Sequence, residues 1–376
     1  MIFIKKVAIL TFHHTTNYGA VLQTYALQTT VEKLGNECKI IDYRCPLIEC
    51  NFKKLHFYNF RNPYNYIKYR MNINNYLQKF NIFNNFINEN IKTTDKIYYD
   101  KKGLKDLDVM FDKFICGSDQ IWNYNITGND TTYFLDFISV NQKKIAYAAS
   151  FGLDKIEDKN TNLYKRCLSN IQYISLREKT GIEIVEQLTS KIANMVLDPT
   201  LLITKNEWIN FSNHVVVGDF ILVYELETSD DMLEYAIHLS HEYNCKVFVI
   251  VTRRVNCQNI GNVNFVINCS PKEFISYFHS AKYIITNSFH GTAFSINFNK
   301  DFTTYLLKHS HNVNTRLINL LELFGLQNRL YKGTSISSNI NYDSVNENLN
   351  EYRAYSIKFL DGAINDDVFD ERSKSE

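Results

Sequence analysis

Residues 7–44, VAILTFHHTTNYGAVLQTYALQTTVEKLGNECKIIDYR, constrain the fold more than any other stretch. VAILTF (7–12) is apolar on both faces, as a strand inside a parallel sheet must be, so it needs cover above and below. A polar turn, HHTTNYG, leads into AVLQTYALQTTVEKLG (20–35), which has helical spacing and a glycine stop, and CKIIDYR (38–44) is the next strand. Together these make a βαβ unit with a right-handed crossover. The two lysines inside MIFIKKVAIL mark the amino terminus as the start of this buried strand and not as a signal peptide.

The same design recurs. KFICGSD (113–119), KKIAYAASFG (143–152) and QYISLREKTG (172–181) are strands that run into small polar turns, and the helical IEIVEQLTS (182–190) follows the third. In VLDPTLLI the residue before Pro199 is pushed out of helical geometry, so Asp198–Pro199 reads as a hinge. Strands FILVYEL (220–226), KVFVIVT (246–252), KYIIT (282–286) and DFTTYLL (301–307) then alternate with helices at 230–243 and 271–281. A chain of 376 residues exceeds one core of roughly 100–200 residues. We therefore expect an α/β protein with two Rossmann-like, doubly wound domains at 1–203 and 204–340. A C-terminal helix (344–360) and tail fill 341–376, with the last dozen residues loose. The Asn, Tyr, Phe and Lys-rich segment at about 51–95 suits one or two amphipathic helices inserted on the first domain. Its polar face is neutral asparagine, where a membrane-surface helix carries Lys and Arg, which favours an insertion over a membrane-surface or acceptor-binding role.

Hydrophobic content of 45%, charged content of 22% and a net charge of +1 fit a soluble globular protein with no global attraction to nucleic acid. No apolar run approaches the roughly 20 residues of a membrane span. The eight cysteines form no CxxC pair and have no regular His companions, which disfavours zinc and suits a reducing cytoplasm.

Ligands of open parallel sheets collect beyond the carboxyl ends of the strands. Those ends supply His13, His14, Asn17 and Tyr18, then Ser118, Asp119, Gln120 and Trp122, then Ser150, then Arg177, Glu178 and Lys179, then Glu225, then Asn287, Ser288 and His290. In TNSFHGTAFS (286–295), His290 and Gly291 sit at a strand-to-helix turn, where exposed N–H groups and the helix dipole suit an anion, although a capping role accounts for the histidine equally well. Arg177 is placed to fork onto a phosphate or carboxylate, or to lie in a solvated loop. Asp119 could accept a proton from a sugar hydroxyl, or cap the next helix. The chain lacks GxGxxG, a P-loop, GxSxG and HExxH, which disfavours the usual NAD, ATP, serine-hydrolase and zinc-protease chemistries.

The set NYGAVLQTYAL (17–27), CGSDQIWN (116–123), YAASFG (147–152), SLREK (175–179), LDPTLL (197–202), TNSFHGTAFS (286–295) and NTRLINLLELFGL (314–326) resembles the polysaccharide pyruvyl transferase family, in order, over about 7–330. Each motif alone is weak, and seven in register are specific. The resemblance implies a glycosyltransferase-B-like pair of domains. It also implies transfer of a pyruvyl group from phosphoenolpyruvate to two hydroxyls of a sugar, forming a cyclic ketal, with phosphoenolpyruvate as donor substrate and no metal or other cofactor. The acceptor would be a sugar or lipid-linked oligosaccharide of a cell-surface polysaccharide, met in the cytoplasm or, as a peripheral protein, at the inner face of the membrane.

Carried over by position, His290 and Asp119 are the catalytic candidates, and Arg177, Ser288, His290, Gly291 and Arg316 the donor-binding ones. His13, Asn17, Tyr18, Ser118, Gln120 and Ser150 are assigned to the acceptor. One departure stands out: the family motif is Arg-x-His, and this chain has Ser288, Phe289 and His290. A serine gives one neutral hydrogen bond where arginine gives a charged fork, so a dianionic donor needs another cation, for which Arg316 and Lys308 are available. The alternatives are a nucleotide-sugar-dependent glycosyltransferase on the same fold and a non-catalytic glycan-binding relative.

Overall fold

The computed structural model describes residues 4–48, 63–212, 216–251, 259, 261–308, 314–333 and 339–366, with backbone alone over 63–73. The chain forms two compact units, Met1–Tyr58 with Ile87–Leu202 and Asn350–Glu376, and Asn59–Phe86 with Ile203–Leu349.

The first unit opens with β1 (Lys6–Leu10), α1 (Tyr18–Lys33) and β2 (Glu37–Ile40), the βαβ unit expected from the sequence. Val7 through Leu10 are fully buried, because β1 lies inside an all-parallel sheet in the order β2, β1, β3 (Lys113–Cys116), β4 (Lys144–Ala149), β5 (Tyr173–Leu176) and β6 (Asn194–Met195). Asn17 caps α1 by accepting from the Ala20 N–H at 3.3 Å, and Gly35 ends the turn at φ +83°. The helix α2 (Pro63–Asn90) and a single turn, α3 (Lys101–Leu104), precede β3 (Lys113–Cys116). Then come α4 (Tyr124–Thr127), β4 (Lys144–Ala149), α5 (Asp158–Ser169), β5 (Tyr173–Leu176), α6 (Lys179–Thr189), β6 (Asn194–Met195) and α7 (Pro199–Leu202). Trp122 stacks on Phe134 at 5.2 Å inside a core that gathers Ala8, Leu10, Phe114, Cys116, Ile174 and Leu176 from one face of the sheet.

The second unit contains α8 (Lys205–Ser212), β7 (Phe220–Tyr224), α9 (Asp230–Glu242), β8 (Lys246–Ile250), β9 (Val263–Val266), α10 (Pro271–Ser280), β10 (Tyr283–Thr286), α11 (Phe289–Asn297), β11 (Asp301–Thr304) and α12 (Asn314–Leu323). Its five parallel strands run β11-β10-β7-β8-β9. Ser270 and Glu273 form a reciprocal capping box on α10, with Pro271 in its first turn.

Two placements differ from the expected boundaries. The segment at about 51–95 does not belong as a whole to the first unit: the Phe86 ring meets Phe211 of α8 at 6.1 Å and Gln78 accepts from Asn268 at 3.1 Å, so α2 through Phe86 goes with the second. The C-terminal helix α13 (Tyr342–Asn365) is likewise divided at Asn350. Its later residues build into the first unit, where Ser356 accepts from the Leu197 N–H (2.9 Å), Arg353 donates to Leu201 O (2.8 Å) and Tyr355 donates to Asn194 (3.0 Å). Residues 49–62 of the expected insertion and 367–376 of the expected loose tail lie outside the described residues. Among the described residues no helix is long and apolar enough to cross a membrane.

Candidate active site

In the first unit the chain leaves β3 through a turn that only glycine can make. Gly117 has φ +119°, and a Cβ there would lie 2.1 Å from Tyr147 O. Asp119 follows at φ +71°, its backbone carbonyl accepting from the N–H groups of Ser150 and Ile121 at 3.1 and 2.8 Å. These constraints turn the Asp119 side chain toward the end of β5, where Arg177 waits.

Arg177 is the centre of this site. Its Nη2 donates to Asp119 Oδ1 at 3.0 Å, its Nη1 donates to Asp198 Oδ2 at 2.6 Å, and its Nε lies 3.8 Å from Glu178 Oε2. The guanidinium side chain is 1% exposed, and burial alone would discharge it; the carboxylates of Asp119, Asp198 and Glu178 outweigh that and raise its pKa above the ordinary value. Asp198 also accepts from the Thr200 N–H and hydroxyl at 3.0 and 2.8 Å and lies 3.1 Å from Ser118 Oγ. Of the three carboxylate side chains Asp119 is the most open, at 12% against 0% for Asp198 and 3% for Glu178. The fork assigned to the donor is thus occupied by protein carboxylates, and a donor anion could use it only by displacing one.

The expected acceptor residues separate into two groups. His13 is buried, with Nε2 3.0 Å from Asp42 Oδ1 and Nδ1 3.4 Å from Thr11 O. Burial opposes ionisation of Asp42, but hydrogen bonds from His13 and Arg44 outweigh it and hold the carboxyl well below the usual range. Tyr18, Ser118 and Ser150 are also buried, and Ser150 Oγ accepts from the Gly152 N–H at 3.2 Å. These four are framework groups, because a sugar cannot reach them without opening the core. Asn17 is exposed and Gln120 half-buried, so these two keep access. Gln120 abuts Gly152, where a Cβ would lie 2.0 Å from Oε1.

Three supporting roles went unread in the sequence. Gln23 of α1 donates to Thr11 Oγ1 at 2.9 Å and accepts from the Ser118 N–H at 3.2 Å, tying the turns after β1 and β3 together. Asp42 anchors His13. Asp198 was read only as a hinge, yet an Asp followed by Pro-Thr is also a capping signature, and Asp198 does bond Thr200.

In the second unit Ser288 caps α11, its Oγ accepting from the Gly291 N–H at 3.3 Å. Thr286 Oγ1 donates to Tyr224 O (2.7 Å) and accepts from the Ser288 N–H (3.1 Å), which locks the turn. A Cβ on Gly291 would lie 2.3 Å from this same Oγ1. The glycine is therefore required by helix-on-strand packing, where ligand approach was the expected reason. Asn287 clips the turn to the chain after β7, accepting from the Leu226 N–H and donating to Glu227 O, both at 2.7 Å.

His290, 7% exposed, follows Ser288 in the first turn of α11 and sets its ring at 89° to Phe289, centroids 5.3 Å apart. The Arg316 guanidinium of α12 lies 5.8 Å from the other partner in this contact, the Phe289 ring. The structure therefore brings Arg316 to the turn that carries Ser288 and His290. Lys308 is engaged elsewhere: its Nζ is 2.7 Å from Asp231 at the start of α9.

A family model for polysaccharide pyruvyl transferase matches residues 17–306. No curated protein sequence matches the chain. Among solved structures, the UDP-GlcNAc 2-epimerase from Neisseria meningitidis bound to UDP-GlcNAc is similar at 11% identity, covering 96% of this chain and 98% of that one, with a TM-score of 0.49. A putative UDP-N-acetylglucosamine 2-epimerase from Listeria monocytogenes gives 10%, 97%, 94% and 0.46. The E. coli heptosyltransferase WaaC with ADP gives 10%, 92%, 99% and 0.41.

Proposed function

The chain belongs to the polysaccharide pyruvyl transferase family, and from that premise we propose that it moves the pyruvyl group of phosphoenolpyruvate onto a sugar of a cell-surface polysaccharide as a cyclic ketal. The observation that carries the chemical part is the Asp119–Arg177 pair. A carboxylate held at the open edge of a buried ionic cluster is a fixed, charged proton acceptor, which is what a sugar hydroxyl needs as it attacks.

The proposed reaction balances without an external oxidant or reductant. A proton adds to C3 of the enol, forming the methyl group and leaving C2 electron-poor. One sugar hydroxyl adds to C2 and gives its proton to Asp119; the C2–O bond to phosphate breaks and inorganic phosphate leaves. The neighbouring hydroxyl then adds to C2, its proton going to the released phosphate, and the ketal closes. In the second unit, His290 is proposed as a proton donor and, with Arg316, as a recognition pair for an anionic group. Ser288 keeps the helix cap. Arg177 is proposed as a positioning residue that fixes Asp119, in place of the direct donor clamp that the resemblance implied. The reaction is proposed to need no metal or other cofactor, so chelators should leave it intact. The acceptor is proposed to be a lipid-linked oligosaccharide, which would draw the enzyme to the inner face of the membrane.

The test is incubation with phosphoenolpyruvate and candidate glycans, following phosphate release. Glycan-dependent release supports the proposal; absence of release together with no stabilisation of the protein by phosphoenolpyruvate sinks it. A second donor class is favoured by two observations, serine at 288 and the occupied Arg177 fork. Thermal-shift comparison of phosphoenolpyruvate with UDP-, GDP- and CMP-sugars separates the two, because a bound ligand raises the melting temperature by mass action.

A further inference from the structure

The first unit has a concavity of about 580 Å³, lined by Tyr43, Leu47, Tyr99, Asp100, Lys101 and Asp130 among others, none of which belongs to the Arg177 cluster. We propose that this pocket binds a neutral sugar unit of the glycan acceptor, stacked on Tyr99 and hydrogen-bonded to Asp100 and Asp130. The choice of a glycan rests on the transferase reading above; the pocket itself rests on its own geometry.

Its position is the first argument. Tyr43 follows the carboxyl end of β2, and Thr127 through Thr132 lie in the connection that leaves the carboxyl end of β3; these two strands flank β1 in one sheet, and connections of this kind are where open α/β sheets bind ligands. The loop that carries Asp119 also supplies Asp130. Size is the second, since small-ligand pockets run from about 300 to 1,000 Å³.

The lining selects the ligand. Tyr99 is 64% exposed, a large ring left in water at the pocket's edge, which offers a flat apolar face to the C–H side of a pyranose. Asp130 is oriented from behind, accepting from the Tyr43 hydroxyl at 2.6 Å and from the Thr132 N–H at 3.0 Å. Asp100 accepts from the Gly103 N–H at 3.0 Å. A carboxylate has about four acceptor directions, so both retain capacity for sugar hydroxyls. Lys101 turns its Nζ onto Asp136 at 2.6 Å, so its charge is already countered and the pocket is net acidic. Phosphates and nucleotides are thereby repelled, while a neutral polyol with one apolar face is accommodated. Gly128, at φ +65°, lets the Leu47 methyl approach: a Cβ there would lie 3.1 Å from Leu47 Cδ2.

Saturation-transfer NMR on the full chain, without phosphoenolpyruvate, tests the site with cellobiose, maltose, lactose and N,N′-diacetylchitobiose. At least one should bind the wild type in the millimolar range, about tenfold weaker with Tyr99→Ala and within about threefold of wild type with Tyr99→Phe. Asp100→Asn should also weaken it, with unchanged melting temperatures confirming that both variants fold. Two results overturn the proposal: no disaccharide binding at about 20 mM, or binding that survives Tyr99→Ala and Asp100→Asn undiminished. Because the readout needs no turnover, failure here leaves phosphate release from phosphoenolpyruvate intact, and failure of that reaction leaves this binding intact.

Discussion

Arg177 Nη1 stands 2.6 Å from Asp198 Oδ2 with both side chains removed from solvent, so neither charge is satisfied by water. Removing one partner strands the other in low dielectric. Asp198→Ala should therefore cost about 3–5 kcal/mol of first-unit stability, measured by denaturant unfolding. Arg177→Lys should recover only part of the loss from Arg177→Ala, because an ammonium lacks the fork that reaches Asp119 and Asp198 together. A loss below about 0.5 kcal/mol would place Arg177 among ordinary surface residues.

Asp119→Asn keeps size and shape but removes the proton acceptor. Turnover should fall by about 10²–10⁴-fold while stabilisation by phosphoenolpyruvate is retained. Loss of donor binding in parallel with turnover would assign Asp119 to the donor instead.

Arg316 and Lys308 make a matched pair of probes. Arg316→Ala should raise KM for the donor by about tenfold or more, and Arg316→Lys should recover part of it. Lys308→Ala should change neither KM nor kcat, since its Nζ is committed to Asp231.

The pH response follows from Asp42. Its folded pKa lies below the unfolded value of about 3.9, so its ionised form adds stability that is fully present above that value and is lost as pH falls toward the folded one. Unfolding of the wild type should steepen below about pH 4, and Asp42→Asn should remove that part of the acid slope while lowering stability at neutral pH. An unchanged acid limb in the variant would contradict the assignment.

Gly291→Ala places a methyl carbon against Thr286 Oγ1, and overpacking of this kind costs about 1–3 kcal/mol. Thr286→Ala on top of it should restore part of the loss, a non-additivity expected only of touching residues.

The central strands were legible because each is a short apolar run ending in a polar turn; β1, β7 and β10 all fall inside the stretches read from sequence. Of the edge strands, β2 and β11 lie largely in CKIIDYR and DFTTYLL, but β6 and β9 were not legible: Asn194–Met195 is two residues long, and only Val263 of Val263–Val266 is buried, so neither has the buried-strand pattern. The polar α5 was equally silent. At the site, positions were readable and partners were not. Arg177 and His290 stand at strand ends, as their place in the pattern requires, but Asp198 meets Ser118 across 80 residues and Arg177 across 21, separations on which a single sequence is mute. The caps alone were local enough to infer, Ser288 onto Gly291 three residues on and Asp198 onto Thr200 two residues on.

The contact between Ser356 and the Leu197 N–H spans 159 residues, and the intervening chain includes every strand of the second unit. During synthesis at about 5–20 residues per second, the segment that presents Asp198 to Arg177 therefore emerges roughly 8–30 s before the helix that buttresses it from behind. The first unit is begun first and completed last. A nascent chain stalled after the second unit would carry the whole ionic cluster in sequence while still lacking the support that Ser356, Arg353 and Tyr355 bring to its backbone.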